Sequence, residues 1–266
     1  MMECREVLNY LEEFAPLQTA ESWDNVGLLL GSRDVPVSRI MTCLTLTPDV
    51  ADEAIRRQIS LIVTHHPLLF RAVQKITTDT AEGTMLLKLI EHQVSVYSPH
   101  TAFDNALAGI NQQWCERFGL QDVQPLRPFE KILSENSSAG SGRQGTLPRP
   151  ISLSEFIEQL KQLMQIPRIQ FVGEGRQMIS RVAVACGAAG EYLGDAHRSG
   201  CDLFITGETR FHGCLEARAL GTALILVGHY QSERFACEQL AENLKGKFPQ
   251  LSVHASEVES DPLNWS

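Results

Sequence analysis

The stretch IMTCLTLTPDVADEAIRRQISLIVTHH, residues 40–66, decides the fold of this chain. Its pattern predicts an apolar strand, a turn, a helix and a second apolar strand that ends at a pair of histidines. The segment 182–208, VAVACGAAGEYLGDAHRSGCDLFITGE, aligns with it without a gap and repeats the same order, with His66 opposite Glu208. Two β-α-β units of this kind predict parallel strands covered by helices.

A second similarity extends the repeat. VSVYSPHTAFD (94–104) resembles LILVGHYQSE (224–233), and in both an acidic residue follows a histidine by four positions after an apolar strand. An internal duplication accounts for both similarities. The alternative is a chance likeness of two β-α-β units, because the identity is low.

The remaining chain alternates strand and helix patterns after an amphipathic helix in the first fifteen residues. Strand patterns fall at 38–46, 60–64, 93–98, 169–173, 180–186, 202–206 and 223–227. Helix patterns fall at 48–59, 81–92, 107–118, 152–164, 190–200, 213–220 and 232–245. We therefore expect an α/β fold of two interlinked, internally related lobes, with sheets flanked by helices and the functional site between the lobes.

Residues 134–150, SENSSAGSGRQGTLPRP, are rich in serine, glycine and proline, which is typical of a linker. This linker predicts a first lobe over 1–133 and a second lobe over 151–266. We expect the C-terminal segment to pack back on the first lobe.

Composition limits the classes of function. The 266 residues include 32 acidic and 23 basic side chains, a formal net charge of -9, which disfavours a nucleic acid as partner. Seven cysteines without a C-x-x-C pair predict free thiols in a reducing, cytoplasmic compartment. No apolar run reaches the length of about 18 residues that a membrane span needs.

His65 and His66 follow the strand 60–64 directly. Ligands of open α/β sheets bind beyond the carboxyl ends of the strands, so this is a position where sites form. Adjacent side chains on an extended chain point apart, so both imidazoles bind metal only if two ions lie side by side or a turn brings the rings together. The alternative is a pair of polar residues that caps the next helix.

The two histidine-acid pairs also follow strands. Asp104 comes four residues after His100, and Glu233 comes four residues after His229, which places the second pair on one face of a helix. The alternative for Asp104 is a turn in which it caps the following helix. Taken alone, a pair such as His229 and Glu233 is more often a solvated helix face. Together with Glu208, these residues form a set of imidazoles and carboxylates without cysteine, which favours Zn²⁺, Mn²⁺ or Fe²⁺.

Five ligands from this set are too many for one open catalytic ion and suit two divalent ions that share a bridging carboxylate and water: His65, His66, Asp104, His229 and Glu233. Two ions bring four positive charges and two carboxylates return two, so the surplus favours a small anionic ligand that contains phosphate.

Seven motifs, in order, resemble the Nif-three-like family, also called GTP cyclohydrolase 1 type 2 homologues, over nearly the whole chain. They are WDNVGLLLGS (23–32), LIVTHHPLLF (61–70), YSPHTAFDNA (97–106), GRQGTLPRPISLSEF (142–156), RVAVACGAAGEYLGDA (181–196), DLFITGETRFH (202–212) and VGHYQSE (227–233). The resemblance implies two α/β lobes with a dinuclear metal centre between them, and a toroidal homohexamer. By motif it implies the metal ligands His65, His66, Asp104, His229 and Glu233, with His100 close to the metals.

Two positions depart from the family pattern. Many members have Leu-Asp-x-Thr where this chain has Leu44-Thr45-Leu46-Thr47, and Thr-Gly-Asp is replaced by Thr206-Gly207-Glu208. We expect both changes to alter what binds beside the ligands.

The sequence favours a metal-dependent hydrolase that acts on a nucleotide or another small phosphorylated or cyclic amide compound, with His100 and Glu208 as proton-transfer residues. A non-catalytic metal-binding, metal-delivery or regulatory oligomer is the alternative that the sequence leaves open.

Overall fold

The computed structural model describes residues 2–129 and 139–264. Its strands, in chain order, are β1 (Met2–Glu3), β2 (Gly27–Leu30), β3 (Pro36–Val37), β4 (Arg39–Cys43), β5 (Leu61–Thr64), β6 (Ser95–Ser98), β7 (Gln121–Pro128), β8 (Gly140–Ser152), β9 (Gln170–Val172), β10 (Met178–Ala185), β11 (Leu203–Thr206), β12 (Ala223–Leu226) and β13 (Ser252–Ala255). Its helices are α1 (Cys4–Phe14), α2 (Pro48–Arg56), α3 (Ala81–Glu91), α4 (His100–Asn105), α5 (Ile110–Arg117), α6 (Leu153–Met164), α7 (Leu193–Arg198), α8 (Phe211–Leu220) and α9 (His229–Lys247). Within these ranges, no helix is both long enough and apolar enough to cross a membrane.

By packing, the chain divides into two compact units. Unit 1 comprises Met1–Phe103 and Arg234–Pro262, and unit 2 comprises Asp104–Glu233 and Leu263–Ser266. The sequence-based division at residues 134–150 places its boundary elsewhere, because composition marks a polar segment but does not reveal which sheet the neighbouring strands join.

Unit 1 is built on the sheet β13-β4-β5-β6-β2, in which the first four strands are parallel and β2 runs antiparallel to β6. Every residue of β5 is buried, as in strands covered on both faces. Helix α2 begins after Thr47, whose side chain accepts a hydrogen bond from the main-chain N–H of Val50, with Pro48 at the first helical position. These local features fix the β4-α2-β5 unit that the sequence predicts.

Unit 2 is built on the sheet β7-β8-β10-β11-β12-β9, in which only the pairs β10-β11 and β11-β12 are parallel. Helix α6 begins at its cap Ser152, which accepts from the N–H of Glu155. Its apolar residues recur at helical spacing and are buried: Leu153, Phe156, Ile157 and Leu160. Each such side chain stabilises the fold by about 1.5–3 kcal/mol through burial. The two units confirm the predicted α/β fold.

Strand pairing also supports the internal duplication. Ile40 pairs with Leu61 in unit 1, and Val182 pairs with Leu203 in unit 2. These are the aligned positions of the two segments quoted above, so both β-α-β units have the same register.

The predicted linker is largely a strand. Residues 134–138 lie outside the described residues, but Gly140–Ser152 forms β8, which pairs with β7 and β10. Its glycines allow β8 to approach β7 closely. A Cβ atom at Gly140 would lie 2.3 Å from the carbonyl oxygen of Arg127, and a Cβ atom at Gly145 would lie 2.9 Å from the carbonyl oxygen of Gln121. A glycine-rich composition therefore indicates tight packing here rather than a linker.

Candidate metal centre

Strand β5 positions His65 and His66. Pairing continues beyond the strand, because the N–H of His65 donates to the carbonyl of Cys43 at 2.9 Å and that of His66 donates to Leu44 at 2.8 Å. The Thr64 hydroxyl donates to the carbonyl oxygens of Leu44 and His66, at 3.3 and 3.1 Å. Both imidazoles therefore extend from backbone that is fixed to the sheet.

His66 contacts a hydroxyl group. Its Nδ1 lies 2.7 Å from Oγ1 of Thr45, one of the two positions that depart from the family pattern. The loop that carries Thr45 is held by the carboxylate of Glu259, which accepts from the N–H groups of Leu44 and Thr45 at 2.9 and 2.6 Å. Arg234 in turn contacts Glu259, with Nε 3.2 Å from Oε2. A partner at Nδ1 directs the other nitrogen of His66 toward a ligand role.

His100 opens α4 just beyond β6 and has φ of +29°, in the left-handed region that a residue with a side chain rarely adopts. Its Nδ1 lies 2.8 Å from Oδ1 of Asp24. The other carboxylate oxygen of Asp24 accepts from the N–H of Thr101 at 3.1 Å and from the Thr101 hydroxyl. These contacts hold the strained residue in place.

The Asp24 carboxylate is fully buried. Burial by itself would raise the pKa of Asp24, but the hydrogen bonds from His100 and Thr101 outweigh it and lower that pKa to about 2. The group is therefore an anion at neutral pH and accepts the Nδ1 proton of His100. The lone pair of the imidazole then lies on Nε2, which is the arrangement of a metal ligand or a general base.

The three histidines of unit 1 converge. The nitrogen that each offers as a ligand lies within 4.8 Å of those of the other two: His65, His66 and His100. Their ring centroids are 5.2 to 5.8 Å apart, and His65 is buried. The chain turns after β5, so the two adjacent rings meet instead of pointing apart. This spacing is close to that of imidazoles around one ion, whose nitrogens lie about 2 Å from the metal.

In unit 2, His229 lies between two carboxylates. It opens α9 after β12, with Nε2 3.1 Å from Oε2 of Glu233 one turn later and Nδ1 2.8 Å from Oε1 of Glu208, which follows β11. The hydrogen bond to Glu233 is the main cause that raises the pKa of His229 to about 9; burial opposes it and Glu208 adds to it. Glu208 thus orients His229 from the second ring nitrogen.

Asp104 has a thiol neighbour that the sequence analysis missed. The Sγ of Cys186 donates to Oδ1 of Asp104 at 3.1 Å, and Asn111 binds the main chain of both residues. Burial first, then the charges of Asp104 and Glu233, raise the pKa of Cys186 well above its usual value. The thiol therefore stays protonated and donates to the carboxylate. Its place directly after β10 was the one sequence feature that could have indicated this role.

The backbone approaches Glu233 closely at Gly187, which has φ of +67°. A Cβ at this position would lie 2.4 Å from Oε1 of Glu233 and 3.5 Å from Nε2 of His229. Only glycine leaves room for the carboxylate here.

Each unit by itself brings predicted site residues together. His65, His66 and His100 meet in unit 1, and His229 contacts Glu233 and Glu208 in unit 2, where Asp104 contacts Cys186. Residues that act through these groups escaped the sequence analysis: Asp24, Cys186 and Gly187. That all five predicted ligands serve one pair of ions stays a prediction.

Histidines and carboxylates placed after parallel strands of α/β units define a class of candidate divalent-metal proteins. A family model described as Duf34/NIF3 (NGG1p interacting factor 3) matches residues 2–262, and the chain belongs to this family. The resemblance noted from the motifs is confirmed.

Two bacterial relatives bear the same name. A GTP cyclohydrolase 1 type 2 homolog of Clostridium acetobutylicum is 32% identical over 268 residues, with 99% of each chain covered. A homolog of that name from Staphylococcus aureus is 25% identical over 367 aligned positions, which cover 99% of this chain and 100% of the relative.

Solved structures extend the similarity. The crystal structure of Staphylococcus aureus protein SA1388 matches with a TM-score of 0.90 at 28% identity, covering 100% of this chain and 99% of that one. A Bacillus cereus protein related to NIF3 matches with a TM-score of 0.89 at 22% identity, covering 100% and 99%, and shows the shared fold alone.

Proposed function

We propose that this chain binds two divalent metal ions and uses them to hydrolyse a nucleotide or another small phosphorylated or cyclic amide compound. The proposed ligands are His65, His66, Asp104, His229 and Glu233. The observation that carries the proposal is the convergence of three imidazoles in unit 1, with ligand atoms within 4.8 Å of one another. The relatives' name, GTP cyclohydrolase 1 type 2 homolog, supports a nucleotide as the substrate class.

The donor set fits divalent ions. The Nδ1 atom of His66 contacts Thr45, so its Nε2 atom is suited to bind a metal. Imidazole and carboxylate donors suit Zn²⁺, Mn²⁺ or Fe²⁺. When bound, such ions supply Lewis acidity, which polarises a carbonyl or phosphoryl oxygen and lowers the pKa of water.

The protein's own groups then orient and move protons. Asp24 keeps the Nδ1 proton on His100, so we assign Nε2 of His100 as the atom that accepts a proton from the attacking water. Glu208 holds Nδ1 of His229, and its side chain is 57% exposed. A carboxylate in that position can pass a proton to solvent, and we assign it this role.

The charge of the occupied site selects the ligand. Four positive charges of two ions exceed the two negative charges of Asp104 and Glu233, which favours an anion such as phosphate. The protein as a whole is acidic, which favours a small anion over a long nucleic acid. We further propose a homohexamer, and light scattering tests it.

We also propose a cytoplasmic location, because all seven cysteines lie in the described ranges as free thiols.

Metal analysis by mass spectrometry, followed by a hydrolase screen on the metal-loaded protein, tests the proposal. We expect about two equivalents in the wild type and a loss of at least one in His66→Ala. His92→Ala is the matched control, because His92 is exposed and its Nδ1 contacts only the helix carbonyl of Lys88 among the contacts described. Equal metal content in His66→Ala and the wild type would contradict the site.

The screen uses GTP, cyclic nucleotides and phosphoesters. Turnover that disappears in His100→Ala supports the hydrolase. Two retained equivalents of metal without turnover on any of these compounds would contradict the hydrolytic half of the proposal and leave the metal site standing.

A further inference from the structure

Two exposed aromatic rings lie beside the histidines of unit 1. Trp23 is 62% exposed and Phe70 is 55% exposed, although both are large and apolar. Their ring centroids are 6.0 Å apart at an interplanar angle of 74°, so the two rings form an open corner. His100 lies edge-on to both, at 6.1 Å from Trp23 and 6.3 Å from Phe70. The proposed function uses neither ring.

The chain next to each ring is anchored. Trp23 precedes Asp24, whose buried carboxylate binds His100 and Thr101. Phe70 follows Leu69, which packs against the core of unit 1 and accepts a hydrogen bond from Asn25 Nδ2 at 2.7 Å. The backbone that carries each ring is therefore fixed, which reduces the entropy lost on binding a ligand, and more than half of each residue's surface is exposed.

We propose that Trp23 and Phe70 form an aromatic subsite that stacks on the planar heteroaromatic ring of a phosphorylated ligand, in effect a nucleobase. The inference rests on the proposed function, because it places the base beside the ions that bind the phosphate. A ring stacked on the face of one aromatic side chain meets the edge of the other, which suits the quadrupoles of both. Exposed Arg71 and Lys75 follow Phe70 and favour an anionic ligand.

Stacking on the base and contacts to the phosphate make separate contributions to the binding free energy. Loss of one stacked aromatic residue weakens base binding by roughly 5- to 150-fold, whereas contacts to phosphate do not depend on it. The subsite therefore sets the preference for a nucleotide over a ring-free phosphate compound and leaves affinity for the phosphate chain unchanged.

The experiment compares GTP with inorganic tripolyphosphate on the metal-loaded full chain. Dissociation constants are measured for the wild type, Trp23→Ala, Trp23→Phe and Phe70→Ala. Phe171→Ala is the matched control, since Phe171 is 48% exposed and lies in unit 2. We expect Trp23→Ala to weaken GTP by roughly 5- to 150-fold, Trp23→Phe to retain most of the affinity, and tripolyphosphate binding to change by less than about twofold.

Fluorescence gives a second readout. The chain has a third tryptophan, Trp265, beside Trp23 and Trp114, so this readout is taken in a Trp265→Phe background. In that background GTP should quench tryptophan emission with or without Phe171→Ala, and the quenching should disappear when Trp23→Phe is added, because the remaining Trp114 is buried. If Trp23→Ala fails to fold, Phe70→Ala and Trp23→Phe still carry the comparison.

The outcomes separate the two proposals. A wild type that retains metal but binds GTP no more tightly than tripolyphosphate overturns the subsite, as does equal weakening of both probes in Trp23→Ala. Trp23 emission that is blue-shifted and insensitive to GTP in the native assembly also overturns it, because another copy of the chain then covers the ring. A protein without metal whose Trp23 is still quenched by GTP contradicts the proposed function and supports the subsite.

Discussion

Replacing Gly187 with alanine adds one methyl group against the carboxylate of Glu233. The added Cβ would lie 2.4 Å from Oε1 of Glu233, whereas non-bonded heavy atoms prefer about 3.5 Å or more. The carboxylate must therefore retreat by about 1 Å. That movement lengthens the contact between Glu233 and Nε2 of His229, which is 3.1 Å in the structure.

Two costs add in this variant. A side chain at φ of +67° costs about 1–2 kcal/mol from the left-handed backbone alone. Gly200→Ala measures that first cost separately, because Gly200 has φ of +71° and a Cβ there meets no atom within 4 Å. The difference between the two variants isolates the displaced carboxylate.

Urea denaturation and a metal titration are run on both alanine variants and the wild type. We expect the left-handed backbone to lower the free energy of unfolding by a similar amount in both variants. The displaced carboxylate should make Gly187→Ala the less stable of the two. We expect metal affinity to fall by about 10- to 100-fold in Gly187→Ala, a size typical of disturbed ligand geometry, and to stay unchanged in Gly200→Ala. Equal stability and equal metal affinity in the two variants would refute this account of Gly187.

Three further variants test other contacts. Asp24→Asn removes the anion that fixes His100 and should lower metal affinity or turnover by about 10- to 100-fold with near-native circular dichroism; an unchanged metal titration and unchanged turnover would contradict this. Thr45→Val removes the hydroxyl at Nδ1 of His66 and should weaken metal binding by about tenfold; tighter binding would show that the hydroxyl competes with the metal. Arg143→Met removes the buried guanidinium, so the main-chain carbonyl oxygens that accept its hydrogen bonds lose their donors. The free energy of unfolding in urea should fall by about 3 kcal/mol, and a fall of less than about 1 kcal/mol would contradict this prediction.

The repeated β-α-β units were predictable because periodicity and caps are local. The strand patterns at 60–64 and 202–206 appear as β5 and β11, and the helix pattern at 152–164 appears as α6 within one residue. The position of β8 was not predictable from composition. A glycine that permits close strand contact and a glycine in a linker look the same in sequence, and only the partner strand distinguishes them.

The site shows the same limit. His65 and His66 were identifiable because two imidazoles after an apolar strand are conspicuous. Asp24 was not, because its partner His100 is distant in sequence and the contact depends on how the chain folds. The convergence of the adjacent rings of His65 and His66 likewise follows from the turn after β5. From the sequence, such a turn was one of two alternatives, and the other was a pair of neighbouring ions.

Through the carboxylate of Glu259, the C-terminal segment of unit 1 supports the candidate metal centre. It binds the main-chain N–H groups of Leu44 and Thr45, and Thr45 in turn contacts His66. A protease that trims the chain after Ser256, or a bulky affinity tag that pulls this segment away, would release that loop without cutting any proposed ligand. Metal content would then report whether the C-terminal segment is intact, and preparations clipped there would be mistaken for inactive protein.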